Sequence, residues 1–387
     1  MKIDMERTSK VAERSSEAFR KIGVVDSDVH PHFRRGLRDL KPYLSTAWQR
    51  GLRIGEEFEW ARDIYAAQFS IPKNVLYINT AGVLRRDSVP PDNSIPASDP
   101  AFVARQLLDE YGIDRAVLIG GNVLGLGAIP DAALATAIAS AYNDWLTDVW
   151  LGADERYRGA LVVAVQDPGR AAEEIDRVGD RRGMVAVFLP LTNMLMGNPH
   201  HYPIYEAASR HGLPVVIHPN SVDGMFVTAP PMAGGAPTYY LEWHTGLTQI
   251  FQANVISLVC HGVFEKIPDL RVVITEGGIG WLPDVMWRLD KNWRSLRDEV
   301  PWVRRLPSEY ILEHMRFTTQ PFIEPARSEH VRWLCDIIQA DHTLLFSSDY
   351  PHWDFDNPQR AFHLLPEEMK QKLRREPPVA LYGARLL

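Results

Sequence analysis

Short, nearly uninterrupted apolar runs recur along the chain, and several end abruptly in an acid or a histidine. They lie at Val24-Val25 leading into Asp28, at Arg115–Gly120, Gly159–Val165, Met184–Leu189, Leu213–His218, Arg271–Glu276, Met315–Gln320 and Thr343–Asp349. These runs are too short for typical helices and mostly rich in Val and Ile, which suits strands buried on both faces. The stretches between them read as helices at 100–112, 130–151, 202–211, 239–266, 282–298 and 325–340. Another opens at Asp167-Pro168, and Ser98-Asp99-Pro100 has the same acid-then-proline helix start. The remainder reads as a terminal helix pair interrupted by Pro377-Pro378. Eight strands, most followed by a helix, predict an α/β fold: a single distorted (β/α)8 TIM barrel. An open doubly wound sheet is the alternative, but no Gly-x-Gly-x-x-Gly follows the first strand.

The same pattern sets the domain boundaries. Residues 1–21 are polar and read as an N-terminal helical arm, and 22–387 form the barrel. Residues 33–114 separate the first two strands and include the Pro/Asp/Ser-rich run Ser88–Asp99. An insertion of that length is expected to act as a lid or an oligomer contact. The Gly/Pro-rich stretch 219–238 reads as a loop over a strand end.

Composition narrows the function classes. The chain has 387 residues, 45% of them hydrophobic, as expected for a large globular core. Its net charge is −7 with no basic run, which disfavours nucleic-acid binding. With only two cysteines, Cys260 and Cys335, neither a disulfide scaffold nor a thiolate zinc site is available. No run of about 18 apolar residues exists to span a membrane, and the first twenty residues lack an apolar signal core. A cytoplasmic location is expected.

Candidate chemistry collects at the C-terminal strand ends, which form one ring in a barrel. The first strand gives Asp28, His30 and His32, alternate residues that share a face. The fifth gives His218, the sixth Glu276, and the eighth Asp349 with His352 just beyond. Nitrogen and carboxylate oxygen donors without thiolate suit Zn, Mn or Fe. One ion is expected, with room for two. Metal candidates are Asp28, His30, His218 and Asp349, with His32, Glu276 and His352 as additions. Asp349, Glu276 and His261 are the acid–base candidates, although His261 also reads as a buried helix histidine and Glu276 as a helix cap. Glu242 and His244 read as helix-surface or lid residues, and His200 and His201 as solvated.

The ordered motifs resemble the amidohydrolase-related metal enzymes, including the aminocarboxymuconate-semialdehyde and resorcylate-type decarboxylases. They are Asp26-x-Asp28-x-His30, Gly212-Leu-Pro-Val-Val-Ile-His218, Gly262-Val-Phe-Glu-Lys-Ile-Pro-Asp-Leu-Arg271, Gly280-Trp-Leu-Pro-x-x-x-Trp-Arg-Leu-Asp290 and Phe346-Ser-Ser-Asp349-Tyr-Pro-His352. The resemblance implies a divalent metal held by Asp28, His30, His218 and Asp349. Two departures stand out. Asp28 occupies a position where many members have His, and Glu276 stands where the decarboxylases usually place a His. The run Ser-Asp349-Tyr-Pro-His-Trp-Asp also resembles a small branch of dinuclear iron or manganese oxygenases, some built from paired non-identical subunits.

The leading expectation is therefore a metal-dependent hydrolase acting through a metal-activated water on a small, carboxylated or aromatic molecule. A nonoxidative decarboxylase is the first alternative. A dinuclear non-haem monooxygenase, or its partner subunit with a structural metal, is the second. The expected assembly is a homodimer or larger oligomer, or a hetero-oligomer with a related chain.

Overall fold

A computed structural model describes residues 22–54, 84–219, 235 and 237–387. The N-terminal arm, the middle of the 33–114 insertion and most of the 219–238 loop lie outside the described residues. Eight parallel strands pair in sequence order: β1 Val25–Val29, β2 Arg115–Leu118, β3 Tyr157–Val162, β4 Met184–Phe188, β5 Val215–Ile217, β6 Val272–Ile274, β7 Met315–Thr318 and β8 Leu344–Leu345. The ladder closes back on β1. Ser27 N–H donates to Phe346 O (2.8 Å), His30 N–H to Tyr350 O (2.8 Å) and Asp349 N–H to Asp28 O (3.1 Å). This is the expected TIM barrel. All but one of the strand residues are buried, because helices cover the outer face and side chains fill the inside.

Helices follow the strands as α1 Pro100–Val103, α2 Ala132–Trp145, α3 Pro168–Val178 and α4 Tyr202–Arg210. The later ones are α5 Tyr240–Gly246, α6 Thr248–Cys260, α7 Leu282–Leu296, α8 Ser328–Ile337 and α9 Glu367–Tyr382. Asp99, Asp131 and Asp167 cap α1, α2 and α3 through their carboxylates, satisfying backbone N–H groups that have no partner within the helix.

Three expectations need correction. The helix expected over 239–266 is three segments, α5, α6 and a short turn Val263–Lys266; Gly262 ends the second in a left-handed conformation. The terminal helix pair is one helix, α9, running through Pro377 and Pro378, whose side chains are buried. The strands are also shorter than their apolar runs. The ladder ends at Ile217, Ile274 and Leu345, so His218, Glu276 and Asp349 sit on irregular backbone just past it. No described helix is long and apolar enough to cross a membrane.

Candidate metal centre

Four side chains from three strand ends converge on one point. Asp28, His30, His218 and Asp349 are buried, and their ligand atoms all lie within 4.8 Å of one another. His30 Nε2 is 2.9 Å from Asp349 Oδ1 and 3.4 Å from Asp28 Oδ1, and His218 Nε2 is 3.5 Å from Asp28 Oδ2. Bonds of about 2.1 Å place neighbouring ligand atoms roughly 3.0–3.4 Å apart, so this spacing fits a first-row divalent ion.

Backbone carbonyls orient both histidines. The Nδ1 of His30 bonds Ile119 O at 2.9 Å and that of His218 bonds Pro219 O at 2.6 Å. A carbonyl only accepts, so each Nδ1 carries a proton and each Nε2 is the ring atom turned to the cluster, free to bind a metal once any proton on it has left. Both Asp28 oxygens, Asp349 Oδ2 and His218 Nε2 are buried without a hydrogen-bond partner. Such atoms are costly unless something else satisfies them, and a cation does. The donor set therefore fits a metal on its own chemistry.

The charges are mutually tuned. Burial alone would push His30 down, but Asp28 and Asp349 outweigh it and raise its pKa to about 9. Burial would push Asp349 up, yet His352 and His30 hold it below the ordinary carboxylate range. Glu276 is raised well above its usual value by burial and then by Asp349, Asp354 and Asp28. Asp26, one turn of the pleat below Asp28, is pushed up to about 7 by burial. Its Oδ1 accepts the N–H of Asp28 (3.2 Å) and of Ser348 (2.9 Å), tying the strand ends that carry Asp28 and Asp349.

The remaining candidates divide. Glu276 adopts a positive φ of 57° just past β6 and comes 3.4 Å from His218 Nε2. His352 Nδ1 lies 2.7 Å from Asp349 Oδ1, and Glu276, Asp349 and His352 form a second possible ligand group. His32 is buried but outside these groups. The chain leaves β1 after Val29, and Nδ1 of His32 bonds Pro96 O at 3.0 Å. Burial pulls its pKa down to about 3, so the ring is neutral. His261 is exposed at the C-terminus of α6 and belongs to none of the ligand groups among the described residues. It is neither the buried histidine expected nor part of the site. His201, expected to be solvated, is fully buried.

Sequence reasoning missed Asp354 and undervalued His244. His244 Nε2 on α5 is 3.3 Å from Asp354 Oδ2, and the two group with Glu276. The rings of Tyr240, His244 and Trp353 pack together, with centroids 5.5–6.3 Å apart. The Ser-Asp349-Tyr-Pro-His-Trp-Asp run already contained Asp354. No periodicity in the run tells that its last acid turns back to the mouth. Glu242 has a local task, accepting the N–H groups of Thr238 and Tyr239.

Comparison with known proteins gives the family. The amidohydrolase family model matches residues 26–384, nearly the whole chain. The chain belongs to the amidohydrolase family. Like other members it is an enzyme of the metal-dependent hydrolase and carboxy-lyase class. A gamma-resorcylate decarboxylase of Rhodococcus jostii is 26% identical over 277 residues, covering 67% of this chain and 78% of the relative. An amidohydrolase from Mycobacterium avium subsp. paratuberculosis superposes with a TM-score of 0.69 at 21% identity, covering 94% of this chain and all of the other. A dihydroxybenzoic acid decarboxylase from a Polaromonas species, solved with manganese and 2-nitroresorcinol, superposes with a TM-score of 0.60 at 19% identity. It covers 93% of this chain and 97% of its own. These two likenesses confirm the barrel fold.

Proposed function

We propose that the protein is a nonoxidative decarboxylase of a small hydroxylated aromatic or related unsaturated carboxylic acid, rather than the hydrolase the motifs first suggested. The observation that carries this reading is the similarity over two thirds of the chain to gamma-resorcylate decarboxylase, with the open Asp28/His30/His218/Asp349 set beneath it. Asp28, His30, His218 and Asp349 would hold one divalent ion, for which manganese is the leading candidate. When bound there, such an ion would supply positive charge to attract an anionic substrate and offset negative charge developing on it.

The protein's own residues handle the proton. The bond between the ring carbon and the carboxylate breaks, carbon dioxide leaves, and the carbon takes one proton. Asp349 and His352 share a hydrogen bond of 2.7 Å and together can store that proton at the mouth. The aromatic wall of Tyr240 and Trp353 gives a flat ring a surface to pack against.

The test is anaerobic. Manganese-loaded protein is incubated with a panel of hydroxybenzoates and carboxymuconates while carbon dioxide is measured. Release without dioxygen is expected, and Asp349→Asn should lower kcat by about 10²–10⁴. No release from any acid, alongside cleavage of esters or amides, would return the assignment to the hydrolase. Consumption of dioxygen with a reductant would move it to the oxygenase.

A further inference from the structure

His244 has no task in the proposed reaction, yet it is held firmly from behind. It arrives at the mouth on α5, with its Nε2 3.3 Å from Oδ2 of Asp354. That same oxygen accepts a hydrogen bond from Nε2 of Gln320 at 2.9 Å. Gln320 is fully buried just past β7, and its backbone N–H donates to Ser347 Oγ at 3.0 Å. A glutamine at a strand end thus fixes the acid, and the acid fixes the ring. Tyr240 stacks on the imidazole, with centroids 5.5 Å and planes 22° apart, and Trp353 packs against it at 5.5 Å.

This support leaves one nitrogen for a ligand. A carboxylate accepts, so Nε2 carries the proton aimed at Asp354, and in the neutral ring Nδ1 keeps a lone pair. Nδ1 makes no hydrogen bond among the described residues, and 18% of the side-chain surface is exposed. Glu276 stands between His244 and the inner cluster. Its carboxylate is 3.4 Å from His218 Nε2 and groups within 4.8 Å with His244. His244 is therefore about one benzene ring's length from the cluster. The charges that act on Glu276 come from Asp349, Asp354 and Asp28 and are all negative. A second carboxylate brought to this edge would meet like charge, whereas a hydroxyl would not.

We propose that His244, positioned by Asp354 and Gln320, accepts a hydrogen bond from a hydroxyl on the ring edge opposite the substrate carboxylate, and so selects para-hydroxylated aromatic acids. This selection rests on the decarboxylase reading and narrows its substrate class. The carboxylate lies at the cluster, the ring lies along Tyr240 and Trp353, and the far hydroxyl meets Nδ1.

The experiment reads binding and not turnover. Manganese-loaded protein is titrated by calorimetry with 2-hydroxybenzenesulfonate, 2,4-dihydroxybenzenesulfonate and 3-hydroxy-4-sulfobenzoate. The sulfonate carries the charge of the carboxylate but has no carbon dioxide to lose, and the three compounds differ only at the para position. The wild type should bind the dihydroxy compound about fivefold tighter or more than the monohydroxy one. In His244→Phe the ratio of the two dissociation constants should fall to about one. Asp354→Leu should shrink the ratio, and Asp354→Asn, which keeps an oxygen for the ring N–H, should restore most of it. The two positions keep the test decisive if one variant fails to fold. A wild type that binds neither compound or shows no para preference overturns the proposal. So does a preference that survives in His244→Phe, or binding of the para carboxylate as tight as that of the para hydroxyl. Any of these results leaves the decarboxylase reading standing, because that reading is tested by carbon dioxide release.

Discussion

The proton on His30 gives the most quantitative prediction. In the metal-free protein Asp28 and Asp349 raise the His30 pKa to about 9, against the pull of burial. A metal needs the Nε2 lone pair that this proton occupies, so binding must expel it. At pH 7 the protonated ring outnumbers the free one by roughly 100-fold, which costs on the order of 3 kcal/mol of apparent affinity. The sign follows directly. Apparent affinity for Mn²⁺ should rise about tenfold per pH unit between pH 7 and 8.5, and flatten as the pH passes about 9. Calorimetry at pH 7.5 in buffers of different ionisation enthalpy should report about one proton released per ion bound at the Asp28/His30/His218/Asp349 cluster. Asp28→Asn removes one of the charges holding that proton, so proton release at that pH should shrink. Affinity that is flat with pH, with no proton released, would refute the reading that these carboxylates hold His30 protonated.

Other outcomes follow from single contacts. His218→Ala removes the candidate ligand just past β5, whose Nε2 has no hydrogen-bond partner, and should weaken Mn²⁺ binding at the Asp28/His30/His218/Asp349 cluster more than about 100-fold by calorimetry. Asp26 acts at one remove, holding the N–H groups of Asp28 and Ser348 on one oxygen. Asp26→Ala should therefore weaken the same ion about 10–100-fold, whereas Asp26→Asn, which keeps an acceptor, should restore most of the affinity; equal losses in both variants would contradict that positioning role. In Gly197→Ala the new Cβ would sit 2.2 Å from the backbone oxygen of Ser257 on α6. Backbone cannot swing aside as a side chain can, so urea denaturation should show a loss of about 1–3 kcal/mol or more.

What the sequence determined was the barrel and the inner cluster of candidate ligands. Eight apolar runs with helices between them admit few other arrangements, because strands buried on both faces need helices on the outside. A barrel then forces the strand ends into one ring, which gathered Asp28, His30, His32, His218, Glu276, Asp349 and His352, and the family resemblance singled out Asp28, His30, His218 and Asp349 among them. Their spacing on the strands carried the information. Tertiary structure decided everything one step beyond the ladder. His32 shares the alternation of Asp28 and His30, but the chain leaves the strand and a carbonyl at Pro96 takes its ring. His261 directly precedes a family motif yet ends on the exposed end of a helix. His244 and Asp354 belong to a helix and a turn whose orientation no local pattern encodes. They meet Glu276 only because α5 and the β8 loop both pack over the mouth. Periodicity reports which face of an element is buried. It does not report where an irregular segment returns, and that return gathers the outer residues of this site.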